Sequence, residues 1–231
     1  MKEIRDHELL HSYLTTYKLE EIFHEPLLPH MAIVSFDQGE LICSQGEPSE
    51  YLYVLVKGKV KIFTTSPGGQ ALILSFKMPL DMIGDIEYVQ GIDFINTVEA
   101  VSSVHMLCIH HRWLKKYNKD HAPFLTFLLE VITHKFYKSD TLSRKLMYSA
   151  DVRLASYLLS VSFDESDALF EGQQEAISLK DVANLIGISY RHLNRVIQQF
   201  CSKGLIERKK GSIKVKDREG LRRLADQNIY E

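Results

Sequence analysis

The sequence is poor in the residues that mark several protein classes. Its 231 residues hold only three cysteines, Cys43, Cys108 and Cys201, each far from the others. That excludes a disulfide framework and every C-x-x-C metal or redox spacing, and leaves the thiols as isolated small hydrophobes. No apolar run approaches the ~18 residues of a membrane span, because the greasiest stretch, Phe124 to Ile132, is broken by Glu130. Met1 to Tyr13 mixes Lys2, Glu3, Arg5, Asp6 and Glu8 with few apolar side chains, so a signal-peptide hydrophobic segment is missing and the expected location is the cytoplasm. Phosphate-gripping G-x-x-x-x-G-K, G-x-S-x-G and H-x-H patterns are missing too. An excess of one charge is also lacking, since the net formal charge is −2.

What is present describes a core-forming chain. Hydrophobic residues make up 45% and charged residues 25%, close to the globular average, and the length suits two ordinary domains. The charges are segregated. Between Ile177 and Arg223 stand twelve Lys and Arg against four acids, a net +8, so the rest of the chain carries −10. This asymmetry predicts one domain that faces a polyanion and one that does not.

The hydrophobic period changes twice. Asp6 to His24 repeats apolar residues at helical spacing. From Ala32 to Ile109 come short runs rich in Val, Ile, Leu, Phe and Tyr: Ala32 to Phe36, Leu52 to Val56, Val60 to Thr64, Ala71 to Phe76, Thr97 to Ala100 and Val104 to Ile109. Turn formers separate them, as at Lys57-Gly58-Lys59 and Ile83-Gly84-Asp85, which predicts an antiparallel barrel or jelly roll. From His121 to Met147 the pattern is helical again, with Leu125, Leu128, Ile132, Leu142 and Leu146 along one stripe and Leu129, Phe136 and Tyr137 beside it. At ~1.5 Å per residue this helix spans ~40 Å, more than one small barrel covers. A narrow near-heptad stripe of that length predicts a parallel dimer seam, although Lys135, Lys138 and Ser139 interrupt its middle. A hinge is expected near Tyr148 to Ala150.

The strongest local signal is Ser178 to Phe200. Ser178 and Asp181 make a capping box, Val182, Ala183 and Ile186 give the first helix an apolar face, Gly187 can end it, and Ser189 caps the next. In that second helix Leu193, Val196, Ile197 and Phe200 fall at i, i+3, i+4 and i+7, with Arg191, Asn194, Arg195 and Gln198 on the other face. This is a helix-turn-helix pattern. Arg can grip guanine with two hydrogen bonds and Asn or Gln adenine, so Tyr190, Arg191, Asn194 and Arg195 are the candidate base contacts. The following Lys203 to Val215 reads as two strands around a basic turn, a wing. Arg208, Lys209 and Lys210, with Ser178 and Ser189 at the helix starts, are the candidate phosphate contacts.

Taken together, Gly46 to Val60, Ile83-Gly84-Asp85-Ile86-Glu87, the long helix and the helix-turn-helix resemble the CRP/FNR family of bacterial transcription regulators over nearly the whole chain. Ser189-Tyr190-Arg191-His192-Leu193 looks closer to a YeiL-like branch. The resemblance implies an α+β protein with an N-terminal cyclic-nucleotide-binding-like β-roll over residues 1–120. A dimerisation helix over 121–148, with Leu125, Leu128, Ile132 and Leu142 in its interface, and a winged helix-turn-helix over 149–231 would follow. It also implies a homodimer on a pseudo-palindromic operator, with RNA polymerase as a further partner, and helices that transmit a sensed signal to the DNA-binding heads.

Two departures bear on the signal. Cyclic-nucleotide-binding members place an Arg followed by Ser or Thr about ten residues after the Gly-Glu of the effector segment, where this chain has Ile95 and Asn96; Asp85 stands where a ribose-binding Glu is usual. A carboxylate with no neutralising Arg repels a phosphate, so cyclic AMP is not expected to bind. Nor does the N-terminus hold the cysteines of an FNR-type iron–sulfur cluster. A different effector, if present, is expected between barrel and long helix, near Asp85, Asn96, Thr97, His134 and Lys138.

The competing readings are a metal-dependent barrel enzyme and a sensor whose head binds a protein. Ten histidines invite the first. His110 and His111 on a strand point to opposite faces, however, and His7 and His11 lack a nearby third ligand, so no metal site and no enzyme is expected. The +8 window speaks against the second, since only a DNA-binding head needs many phosphate contacts.

Overall fold

Strands whose residues are apolar at every position need cover on both faces, and the central strands of this protein have it. The computed structural model describes residues 1–69, 71–145, 148–161, 179–209 and 212–225, without the side chains of 138–145, 181, 209 and 212. The chain divides into two compact units, Met1–Thr64 with Phe76–Ser139, and Thr65–Ser75 with Asp140–Glu231.

In the first unit, β1 (Lys2–Ile4), β2 (Met31–Phe36), β4 (Tyr51–Lys57), β7 (Met82–Ile83) and β9 (Val104–His110) form a sheet ordered β1-β2-β9-β4-β7. The second sheet is ordered β3-β8-β5-β6, from β3 (Leu41–Cys43), β5 (Val60–Thr65), β6 (Ala71–Lys77) and β8 (Thr97–Ala100). The register pairs Tyr53 with Cys108 and Val34 with Met106. Alternation then sorts the side chains. Val34, Phe36, Tyr53, Leu55, Val104, Met106 and Cys108 join Ile42, Val60 and Val98 in one core cluster. Ile33, Leu52, Val54, Val56, Leu107 and Ile109 point the other way, into a second cluster with Leu14, Phe23, Leu27, Leu114, Phe124 and Leu128. Both faces of β4 and β9 are therefore dry, which is why they read as unbroken apolar runs.

Helices supply the outer cover: α1 (His7–Thr16), short 3-10 turns at Leu19–Glu21 and Glu25–His30, α3 (His111–Tyr117) and the start of α4 (Ala122–Lys145). Asp6 caps α1 by accepting the Leu9 N–H at 2.9 Å. Gly58 at the β4–β5 turn has φ 86°, and a Cβ there would stand 2.2 Å from the Ser103 carbonyl oxygen, so only glycine fits. The predicted strands are present with ends shifted by a residue or so. The structure adds β1, a polar edge strand pairing Lys2 with Ser35, the short strands β3 and β7, and α2 (Asp85–Gln90).

In the second unit α5 (Ala150–Val161) packs on α7 (Tyr190–Ser202) and α8 (Arg218–Ala225). Leu154, Ala155, Tyr157, Leu158 and Leu159 of α5 are buried. α6 (Leu179–Leu185) precedes α7, and β10 (Ile206–Lys209) pairs antiparallel with β11 (Ser212–Val215). No helix among the described residues is long and apolar enough to cross a membrane.

Candidate nucleic-acid interface and barrel sites

The turn between α6 and α7 is fixed by glycine and by a distant arginine. Gly187 takes φ 70°, and the Ile188 and Gly187 N–H groups return to the Ala183 and Asn184 carbonyls at 2.9 and 3.0 Å, closing α6 with a left-handed cap. Arg153 of α5 donates from Nη1 to the Ile186 and Gly187 carbonyls at 3.0 and 3.1 Å, satisfying oxygens that the helix end leaves open. Nothing in the local pattern marks Arg153 for this, since its targets lie more than thirty residues away. Ser189 starts α7 by accepting the His192 N–H at 3.2 Å.

Burial then sets the rotation of α7. Leu193, Val196, Ile197 and Phe200 are each 3% exposed or less, and the opposite side presents Tyr190, Arg191 and Arg195 to solvent. Asn194 is half-buried and doubly bonded: its Nδ2 donates to the Tyr190 carbonyl and its Oδ1 accepts from Arg208 Nη1, both at 3.0 Å. Arg208 is exposed on β10. Ser178 and Lys210 lie outside the described residues, as does the side chain of Lys209.

In the barrel, Asp85 is 1% exposed. Its Oδ1 accepts from Lys135 Nζ of α4 at 2.6 Å, and Lys135 also donates to the Met82 carbonyl at 2.6 Å. The other Asp85 oxygen is buried without a partner. Glu87, 7% exposed, accepts the Ile95 N–H at 3.1 Å, so an internal carboxylate closes the loop that follows α2. Gly84 has φ 86°, and a Cβ there would meet the Tyr51 carbonyl oxygen at 2.6 Å. The expected effector residues have partners of their own. Asp85 is committed to Lys135, and Thr97, 8% exposed, accepts the Gln45 N–H through Oγ1 at 3.1 Å. The Asn96 carbonyl faces the Cys43 thiol at 3.9 Å. His134 lines a shallow groove of about 290 Å³ with Leu80, Asp81, Phe127, Glu130 and Val131. The Lys138 side chain lies outside the described residues. Lys135, read from the sequence as an interruption of the stripe, is the helix's polar tie to the barrel.

The stripe itself splits. Leu128 is 6% exposed and sits in the barrel's own core, with Ile132 packed partly against it, so Leu128 leaves the expected seam because its position on α4 faces the sheet. Leu125, Leu129 and Phe136 are 44%, 65% and 77% exposed. Leu125, Leu129, Ile132 and Phe136 follow alternating spacings of four and three, the heptad order. The Leu142 side chain lies outside the described residues.

The remaining reactive side chains are quiet. Burial pushes the Cys43 and Cys108 thiols up to about 12, so neither forms thiolate near neutrality. Burial holds His111 down at about 4, only partly opposed by its hydrogen bond to the Tyr51 backbone, so its ring is neutral at physiological pH. His111 opens α3 and does not continue the strand with His110. Among the described residues no three His, Cys, Asp or Glu side chains gather to hold a metal ion.

A β-roll of two sheets followed by a winged helix-turn-helix defines a class: β-roll domains joined to helix-turn-helix heads. Comparison with known proteins agrees. Residues 33–120 match the cyclic nucleotide-binding domain and residues 152–224 the Crp-like helix-turn-helix domain. The chain is 24% identical over 196 residues to the CRP-like cAMP-activated global transcriptional regulator of Mycobacterium tuberculosis, covering 83% of this chain and 87% of that protein. It is 26% identical over 187 residues to the regulatory protein YeiL of Escherichia coli O157:H7, covering 80% and 82%. A CRP/FNR-family regulator from Eubacterium rectale shares the fold with a TM-score of 0.69 at 21% identity, over 87% of this chain and 92% of that one. A CRP-family regulator from Thermus thermophilus does so with 0.64 at 20% identity, over 85% and 98%. The protein belongs to the CRP/FNR family of transcriptional regulators, with a helix-turn-helix DNA-binding domain.

The buried pair generates a stability prediction. Replacing Lys135 by Met leaves Asp85 charged, buried and unpaired, a change that costs about 3–5 kcal/mol. The denaturation midpoint should fall steeply, and Asp85→Asn in the same chain should restore much of the loss. An unchanged midpoint for Lys135→Met would show that the pair is not held in solution.

Proposed function

We propose that the protein binds a pseudo-palindromic duplex as a homodimer, with a head at residues 149–231, a dimerisation helix at 121–148 and a sensor at 1–120. Tyr190, Arg191 and Arg195 would meet base edges in the major groove, and Ser178, Ser189, Lys209 and Lys210 the phosphates. RNA polymerase would be the further partner. The observation that carries this reading is the rotation of α7: its apolar side is fully buried and its arginines are exposed. Arg195→Ala should weaken binding to duplexes enriched from a random pool by about 1–3 kcal/mol and binding to unselected duplex far less. Equal losses on both would reassign Arg195 to a phosphate.

The dimer seam we assign to Leu125, Leu129, Ile132 and Phe136, because exposed Leu125, Leu129 and Phe136 and half-buried Ile132 stand at heptad spacing and gain by covering each other. Leu129→Glu would place like charges across that seam. Sedimentation should then show a shift from dimer to monomer, and a dimer unaffected by this change would place the interface elsewhere.

For the sensor we infer that cyclic AMP is not the effector. The support is that Ile95 and Asn96 offer no guanidinium, while the buried carboxylate of Glu87 already takes the Ile95 N–H and Lys135 is already bound to Asp85. An added phosphate would have to displace that contact and approach buried negative charge. Titration calorimetry with cyclic AMP should show no heat of binding, and micromolar affinity would overturn the inference.

A further inference from the structure

We propose that Asn194 does not read a base but is a positioning residue that fixes the guanidinium of Arg208, making that wing arginine part of the sequence-reading surface. The proposal rests on the DNA-binding reading above and changes the roles of two residues within it.

Recognition of adenine by asparagine uses both ends of the amide, with Oδ1 accepting from one base atom and Nδ2 donating to another. Both ends of Asn194 are already engaged, Nδ2 by the Tyr190 carbonyl and Oδ1 by Arg208 Nη1. The assignment of the amide is forced by chemistry, since a carbonyl can only accept and a guanidinium can only donate. The side chain lies back along α7 over the preceding turn, the direction helical side chains favour, and its outward oxygen holds a residue fourteen positions later in the chain. Arg208 is anchored on one side by its place in β10, where it pairs with Ile213, and on the other by this bond. Of its five donors one is used for positioning, and an exposed guanidinium restrained at two points loses less freedom on gripping a guanine or a phosphate than a free one. Asn194 follows Arg191 by three residues, one turn along α7, so the bond holds the wing guanidinium against the helix that presents Arg191 and Arg195 to solvent.

The test is a double-mutant cycle on the full-length protein. Wild type, N194A, R208A, R208K and N194A/R208A are compared on duplexes enriched by the wild type from a random pool and on the unselected pool, between about 50 and 200 mM salt. Expected is a loss of about tenfold for N194A on the enriched duplexes, little loss on the unselected pool, and a double variant no weaker than R208A. R208K keeps the charge but not the planar fork, and should resemble N194A. If the two single losses multiply in the double variant, or if N194A changes the preferred base at one position while R208A does not, Asn194 is a base reader and the proposal fails. It fails equally if N194A or R208K binds like wild type. A wild type that enriches no duplex at all would instead sink the DNA-binding reading beneath it.

Discussion

The burial of Leu193, Val196, Ile197 and Phe200 is the constraint on which the head depends. Four large apolar side chains, each worth roughly 1.5–3 kcal/mol when removed from water, leave α7 one acceptable rotation about its axis. Everything polar on the helix is placed by that choice. The left-handed cap at Gly187 and the Arg153 bonds to the Ile186 and Gly187 carbonyls fix where the helix begins. Burial fixes which way it faces. Together they decide that Arg191 and Arg195 stand on the solvent side of α7.

A second constraint governs the barrel, where a buried charge must be paired or neutralised. Asp85 and Glu87 solve it differently. Asp85 recruits Lys135 from α4, and Glu87 takes the backbone N–H of Ile95. In both cases a side chain of the effector segment is turned inward to its own chain. The first bond holds α2 to α4, and the second closes the loop that follows α2.

Much of this was legible in the sequence, for physical reasons that differ by element. The strands declared themselves because β4 and β9 bury both faces and their turns demand residues such as Gly58. The helix-turn-helix declared itself because capping, turn and amphipathic split are all local. β1 did not, because a three-residue polar edge strand has no apolar pattern to show. Lys135, Glu87 and Arg153 were not legible as partners because each acts on a group set by the fold rather than by spacing, fifty residues away in the case of Lys135 and Asp85. The side of α4 that stays exposed was legible only to within one helical position. The helix carries two apolar stripes, one for the barrel through Phe124 and Leu128 and one left exposed through Leu125, Leu129 and Phe136, and periodicity alone cannot say which stripe has a neighbour.

The two stripes also limit how a signal could act on the sensor. A ligand shifts a protein between arrangements only by binding them unequally, so it must touch something that differs between them. The stripe buried against the barrel is held by core packing, which resists gradual deformation. The Lys135 contacts are of another kind: they tie α4 to Asp85 of α2 and to the Met82 carbonyl of β7, each at 2.6 Å, and one Asp85 oxygen beside them is buried without a partner. A buried oxygen in that state is costly to leave as it is, and a donor that reached it would stabilise it. The polar tie of α4 to the β-roll therefore rests on one buried charge pair, where the α2 turn meets the helix.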